Sequence, residues 1–344
     1  MRFRLLTVLL LCFSFLTQAV GQDEQSRVLP IPAAASEELQ AALRNWPVRQ
    51  LSDLPNPPSN PAEWKARIEQ ADDQRASKVP QTLRQTGVQL RRDTIEGVNV
   101  HRLTPSTVVP ENSDRLFLYV HGGAYVYGNG DAGIFEAILI ADRVGIPVLS
   151  VDYRMPPDHP FPAAVNDAIA VYEYLLKSRS PESIVIGGTS AGGGLALAVV
   201  HQLRILDTPF PGAVYAGTPW ADLTKTGDTL YTNETIDRVL LTYDGGLGAA
   251  GRLYAGKADL KNPLISPVYG DFNGFPPTML ITGTRDLFLS DVARTHRKLR
   301  QSGVIADLHV YEGMSHAGYL ISSETPESKN MYEELKFFIS QHLD

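Results

Sequence analysis

The amino-acid sequence predicts an α/β fold, a mostly parallel sheet covered by helices on both faces. Three observations predict it. From about residue 86 to the end, short apolar runs alternate with longer amphipathic stretches, as strand–helix units do. Several of those runs are continuously apolar, which suits strands buried on both faces. One of them, Ile184-Val185-Ile186, leads through a glycine-rich turn into a good helix start, the local form of a parallel βα unit.

The first element stands outside that pattern. Arg2 and Arg4 precede the apolar run Leu5–Leu16, and Gln18-Ala19-Val20-Gly21 follows it, the charged, apolar, small-residue order of an export signal peptide over residues 1–21. The run is shorter than the roughly 20 residues a bilayer span needs, so a cleaved leader is expected, with an uncleaved membrane anchor as the alternative and no stable membrane association once the leader is removed. The expected location is therefore periplasmic or secreted. Cys12, the only cysteine, lies inside this run and lacks the small residue that a lipoprotein site would place before it. Without the leader the chain has no disulfide, no thiol nucleophile and no thiolate metal ligand.

Residues 22–85 carry two polar helical stretches, Ser36 to Trp46 and Glu63 to Lys78, on either side of Pro47, Pro55, Pro57, Pro58 and Pro61. Prolines so closely spaced forbid regular helix or central strand, and the region holds too few apolar residues for a core of its own. It is an accessory element made of helices and a rigid connection. Beyond it, strands are expected at Val98–Leu103, Leu116–Val120, Pro147–Asp152, Ser183–Gly187, Ala213–Gly217, Thr278–Thr282 and Asp307–Tyr311. Helices are expected at Ile134–Val144, Ala163–Lys177, Ala191–Leu206, Ser290–Gln301 and Pro326–Ile339. The stretch from about 222 to 266 is rich in Gly and Thr and breaks the alternation just after a strand, where a lid insertion would sit. With 43% apolar residues the chain can bury a sizeable core, and a net charge of −7 argues against a nucleic-acid partner.

The chemistry is written in four loops, each following an expected strand. Gly188-Thr189-Ser190-Ala191-Gly192 fits G-x-S-x-G in the strand–turn–helix setting that a nucleophile elbow requires. His121-Gly122-Gly123-Ala124 follows Leu116–Val120; its glycines let backbone amides approach an oxyanion, so the N–H groups of Gly122, Gly123 and Ala191 are assigned to an oxyanion hole. His121 itself reads as an anchor of that loop. The polar turn Gly283-Thr284-Arg285-Asp286 supplies one carboxylate, and Glu312-Gly313-Met314-Ser315-His316-Ala317-Gly318 supplies a histidine between small residues. Serine, then acid, then histidine is the chain order this chemistry needs. The catalytic set is thus Ser190, Asp286 and His316. Asp291 is the rival acid, but it falls in a helix's first turn, where acids complement the dipole. His101 and His309 fall in strands, His201 and His296 in helices, His342 at the terminus and His159 in a proline-rich loop, all settings for packing or surface roles.

These loops, together with Asp152-Tyr153-Arg154, the run Pro157-Asp158-His159-Pro160-Phe161-Pro162-Ala163-Ala164 and Pro219-Trp220-Ala221-Asp222-Leu223, make residues 85–344 resemble the hormone-sensitive-lipase-like family of α/β-hydrolases. The middle run is similar to that family's Y-R-L-A-P-E-H-P-F-P-A-A signature, with Met155, Pro156 and Asp158 in place of Leu, Ala and Glu. Ala124 replaces the last glycine of the oxyanion loop. Thr189 stands where many members have an acid, which puts the chain nearer the G-T-S-A-G, bacterial carboxylesterase-like subgroup. The resemblance implies an α/β-hydrolase fold with a mostly parallel, eight-stranded sheet, over residues 86–344, and a helical cap made from residues 22–85 and the insertion at about 222–266.

The function this implies is hydrolysis of small to medium-chain carboxylic esters through an acyl-enzyme, with no cofactor and no metal. Lactone or amide hydrolysis by the same residues is the alternative. A non-catalytic small-molecule receptor on the same fold is disfavoured because His316 is kept. Tyr125, Tyr127, Trp220, Tyr243 and Leu247 are candidates to line the acyl and alcohol pockets, with core packing an equal or better reading of each. The partner is a small-molecule ester, and the sequence leaves a homodimer open.

Overall fold

The computed structural model describes residues 29–344, and the leader-like residues 1–21 with Cys12 lie outside it. One eight-stranded sheet organises the rest: β1 Gln89–Ile95, β2 Val98–Thr104, β3 Leu116–Val120, β4 Val148–Asp152, β5 Ile184–Thr189, β6 Ala213–Gly217, β7 Thr278–Gly283 and β8 Ala306–Tyr311. Their spatial order is β1-β2-β4-β3-β5-β6-β7-β8. Strand β2 runs antiparallel to both β1 and β4, and every pairing from β4 to β8 is parallel.

Successive side chains of the central strands serve opposite faces, as the two-residue period of a strand demands. Leu118 and Val120 of β3, Ile184 and Ile186 of β5 and Leu280 of β7 share a core with helices α5 (Ala163–Leu176), α6 (Ala191–Ile205) and α9 (Leu289–Gln301). Phe117 and Tyr119 of β3, Val185 of β5, and Met279 and Ile281 of β7 join the core made by α4 (Phe135–Val144) and α11 (Pro326–His342) on the other side. Both faces are covered, which explains the continuous apolar runs.

Strand β1 is absent from the sequence expectation because Gln89-Leu-Arg-Arg-Asp-Thr-Ile95 is mostly polar. It is an edge strand, where charges guard unpaired backbone groups. Its hairpin with β2 turns at Glu96 and Gly97, both at positive φ (49° and 80°), the geometry of a tight primed turn.

The N-terminal region forms α1 (Glu37–Asn45), α2 (Pro61–Ala76) and α3 (Val79–Thr86). The Asn60 side chain caps α2 by accepting the Glu63 N–H at 3.0 Å, and Pro61 occupies the first turn, where its missing N–H does no harm. Helix α3, with Pro80 in its first turn, was not expected from the pattern. These helices go to different places. Leu39 and Leu43 of α1 and Val79 of α3 pack in the core beside α4 and α11. Trp64 and Ile68 of α2 instead pack with Val126 of the loop after β3 and with Ala249, Ala250 and Leu253. Those last three belong to α8 (Gly246–Ala255), which with the one-turn α7 (Thr229–Thr232) is the helical content of the insertion between β6 and β7. Another short helix, α10 (Gly318–Ile321), follows β8. The loops after β3, β5, β7 and β8 open at the carboxyl ends of the parallel strands, where ligands bind in open α/β sheets.

Candidate active site

Strand β5 ends at Thr189 and α6 begins at Ala191, so Ser190 alone makes the turn. Its backbone stands at φ 63°, ψ −123°, a strained conformation for a residue with a Cβ. Three hydrogen bonds hold it there: the Ser190 N–H donates to the Gly217 carbonyl at 2.8 Å, and its own carbonyl accepts from Gly194 (3.0 Å) and Trp220 (2.9 Å). The flanking glycines follow from crowding. A Cβ on Gly188 would sit 1.9 Å from the Val120 carbonyl oxygen, and one on Gly192 only 2.1 Å from the same atom. The elbow is therefore pressed against the end of β3, which brings the next loop to the serine.

That loop, His121 to Tyr127, closes on itself where the Gly123 carbonyl accepts the N–H groups of Val126 (3.0 Å) and Tyr127 (2.8 Å). His121 is buried, stacks on Tyr153 with ring centres 4.0 Å apart, and shares a bond between Nδ1 and the Gly122 carbonyl at 2.9 Å. The Tyr153 hydroxyl donates to the His121 carbonyl at 2.6 Å. Burial depresses the His121 pKa, more than its contact with Gly122 and the charges of Asp152 and Asp72 raise it, so the ring stays neutral and acts as an anchor. Gly122 lies directly over the elbow: a Cβ there would be 3.4 Å from that of Ser190. Among the described residues nothing accepts the N–H of Gly122, Gly123 or Ala191, so these three donors, in the loop after β3 and at the start of α6, are free.

His316 is buried in the loop after β8, and its Nδ1 lies 3.1 Å from Asp286 Oδ1, an acid that is wholly buried in the loop after β7. The remaining capacity of Asp286 is used by the Phe288 N–H (2.8 Å) and the Thr282 hydroxyl (3.0 Å), which fix its orientation. Burial alone would lower the His316 pKa, but the charge and hydrogen bond of Asp286, with the charge of Asp237, outweigh it and the net movement is upward. An aromatic wall joins this pair to the elbow. Phe288 meets His316 edge-on at 4.8 Å and stacks on Trp220 at 5.6 Å, and Trp220 is bonded to the Ser190 carbonyl.

Asp291 is placed elsewhere. It is buried in the first turn of α9, accepts the Asp222 N–H at 3.1 Å, and holds the start of the insertion, with no bond to His316. Of the candidate pocket residues, Tyr125, Trp220 and Tyr243 are buried in the main core, Leu247 packs partly against it, and Tyr127 joins the α2–α8 cluster. Packing is the role the structure gives them.

Two buried acids escape the sequence pattern. Glu136 of α4 accepts the hydroxyls of Thr189 (2.6 Å), Tyr119 (2.9 Å) and Tyr215 (3.1 Å), and Tyr319 of α10 bonds both Thr189 (2.6 Å) and Tyr215 (3.1 Å). An acid from α4 thus reaches the residue that precedes the serine. Burial lifts its pKa to about 7 against the lowering pull of those hydroxyls. A signal existed, since Glu136 interrupts a helix whose neighbours are apolar. Asp237, in the insertion, sits against both Leu287 and His316. No periodicity in residues 222–266 could have announced it.

A model of the alpha/beta hydrolase fold family matches residues 117–320. The chain is 33% identical to an acetyl-hydrolase of Streptomyces hygroscopicus over 244 residues, 70% of this chain and 81% of that one. A crystal structure of an esterase aligns with TM-score 0.90 and 48% identity, covering 92% of this chain and 98% of that chain. A second, an esterase from the bacterial hormone-sensitive lipase family, aligns with TM-score 0.70 and 30% identity over 82% of this chain and 98% of its own.

Proposed function

The chain belongs to the α/β hydrolase family and is a carboxylic ester hydrolase, and we propose that Ser190, His316 and Asp286 perform the reaction by acyl transfer through the serine. A serine hydroxyl is barely ionised at neutral pH and attacks only when a base removes its proton. His316 takes that proton as Ser190 Oγ bonds to the acyl carbon. The carbonyl oxygen becomes an oxyanion and is met by the free N–H groups of Gly122, Gly123 and Ala191, each such donor being worth about 3 kcal/mol of barrier. His316 then delivers the proton to the departing alcohol oxygen as the C–O bond breaks, leaving an acyl-serine. Water repeats the sequence, giving its proton to His316, and the carboxylic acid leaves as the proton returns to Ser190. Asp286 holds the imidazole in the required tautomer and stabilises its cation. The observation that carries this assignment is the Asp286–His316 bond, buried on the same edge of the sheet as the strained Ser190 turn.

Short acyl esters are the proposed substrates, supported by the acetyl-hydrolase among the relatives. Helix α2 and the insertion that carries α8 are proposed as the cap, supported by their shared apolar cluster. The leader-like residues 1–21 support export, and no described helix is long and apolar enough to cross a membrane. Removing residues 2–21 is expected to leave the enzyme in the cytoplasm while the full chain is exported, and equal fractionation of the two would contradict export. For the chemistry, Ser190→Ala should lose at least about a thousandfold of kcat/KM on p-nitrophenyl acetate with its circular dichroism unchanged. Retention of even a tenth of the rate would overturn the nucleophile. A series of lengthening acyl chains should show the highest kcat/KM among the short ones.

A further inference from the structure

We propose that Asp237 is a positioning residue for His316, a second carboxylate carried by the insertion that ties the Asp286 and His316 loops together and keeps negative charge beside the imidazole. The inference rests on the proposed roles of Ser190, Asp286 and His316.

Asp237 has no exposed surface, and its carboxylate is spent on four backbone N–H groups. Oδ2 accepts from Leu287 at 2.9 Å and from His316 at 3.3 Å; Oδ1 accepts from Val239 at 2.8 Å and Leu240 at 3.2 Å. Leu287 is the residue after the proposed acid, and His316 is the proposed base. One carboxylate from a third segment therefore bonds the backbone of both loops. Its neighbours reinforce the clamp. The Asn233 amide donates to the carbonyls of Thr284 (3.2 Å) and Asp286 (2.9 Å), and the Arg238 N–H donates to the Ser315 hydroxyl at 3.1 Å.

The chemistry suits an ionised acid. Four converging donors need an acceptor, and a carboxylate is acceptor-only. An uncompensated buried charge is unfavourable, so such a group is retained only where donors and a countercharge meet it. The ionisable groups in direct reach are Asp286, which opposes its charge, and His316, which favours it. The nearby cations are turned away: Arg238 bonds the carbonyls of Leu43 and Trp46, and Arg285 that of Pro30. Glu234 bonds the Thr242 hydroxyl. The imidazolium that forms as Ser190 gives up its proton is thus the cation that Asp237 faces. Burial, with the charge of Asp286, pushes its pKa up to about 6, above which the support is in place.

The sign follows. A negative neighbour favours the protonated imidazole and raises its pKa, so neutralising Asp237 moves the acid limb of the kcat/KM profile to lower pH. Asp237→Asn should lower kcat about tenfold, leave KM within about twofold, and shift that limb downward. A merely structural role would reduce stability and active fraction and leave the limb in place. An amide would also turn its NH2 on two N–H donors, so Asp237→Glu is the companion variant. It keeps the charge and moves it, which predicts a wild-type limb with a lowered kcat. An unmoved limb in Asp237→Asn, or a displaced limb or unchanged kcat in Asp237→Glu, overturns the proposal. If Asp237→Asn does not fold, Asp237→Glu decides it. Ser190→Ala and Asp286→Asn run alongside: retained rate in either overturns the underlying roles instead, whereas their loss with an unmoved Asp237→Asn limb rejects Asp237 alone.

Discussion

Ser190 stands in a backbone conformation that a side chain disfavours by roughly 1–3 kcal/mol, and the three hydrogen bonds of its own N–H and carbonyl hold it there. The two acids of the β7 loop region differ as sharply in surroundings as they are close in sequence. Asp286 is met by a hydroxyl, a backbone N–H and the imidazole. Asp291 accepts one backbone N–H, and its Oδ1 has no hydrogen-bond partner among the described residues, only Arg294 at 3.9 Å; burial and then the charge of Asp222 push its pKa well up against the pull of Arg294. An amide keeps the oxygen that accepts the Asp222 N–H. Asp291→Asn should therefore keep kcat within about twofold of wild type, while Asp286→Asn should lose on the order of 10⁴-fold by freeing the wrong imidazole tautomer. The reverse ranking in steady-state kinetics would reassign the acid. Ser190, Asp286 and His316 were legible in the sequence because each sits in a short polar or glycine-rich loop directly after an apolar strand. Asp237 was not, because His316 lies 79 residues away and only the fold makes them neighbours; Glu136 showed only as an acid interrupting an apolar helix, its link to Thr189, 53 residues on, being made by the fold.

At the level of elements, the α6 start is a tight junction. Gly192→Ala would put a methyl 2.1 Å from the Val120 carbonyl oxygen and 2.8 Å from the His121 carbonyl carbon, backbone atoms that cannot swing aside. Overpacking of this kind typically removes about 1–3 kcal/mol. Here it should also displace the loop that carries the Gly122 and Gly123 N–H groups. A lowered urea midpoint together with a larger loss of kcat than of KM is the expected result, and a variant of wild-type stability would contradict the close approach. The central strands and the long helices of the sheet were legible from apolar runs and amphipathic period. Edge strand β1 was hidden by its polar face, α3 by a proline that is harmless in a first turn, and α7 and α8 by an insertion whose folding depends on tertiary contacts. The N-terminal helices read as a single accessory element, but their apolar residues face different cores, Leu39 and Leu43 toward α11 and Trp64 and Ile68 toward α8.

Across the whole molecule, the carboxylate of Glu136 gathers α4, β3, the end of β5 and β6, with α10 joined through Tyr319, into one buried network behind the elbow. This has a consequence for stability. Its folded pKa of about 7 exceeds the ordinary 4.5, so the native state holds that proton more tightly than the unfolded chain. The contribution is full below pH 4.5 and is lost as pH rises to about 7, a difference on the order of 3 kcal/mol. Wild type should therefore lose stability relative to Glu136→Gln across that window in urea titrations, and parallel curves would contradict it. The parallel sheet sets the other molecular fact, since its order places the β5, β6, β7 and β8 loops side by side at one edge. That arrangement brings the loops of Ser190, Asp286 and His316, far apart in sequence, to one edge of the sheet. The most direct test is labelling of the intact enzyme with a fluorophosphonate, followed by peptide mapping by mass spectrometry. One adduct per chain, on Ser190, with ester hydrolysis lost in proportion and no label on His316→Ala, is the predicted result. An adduct on another residue, or full labelling with activity retained, would contradict it.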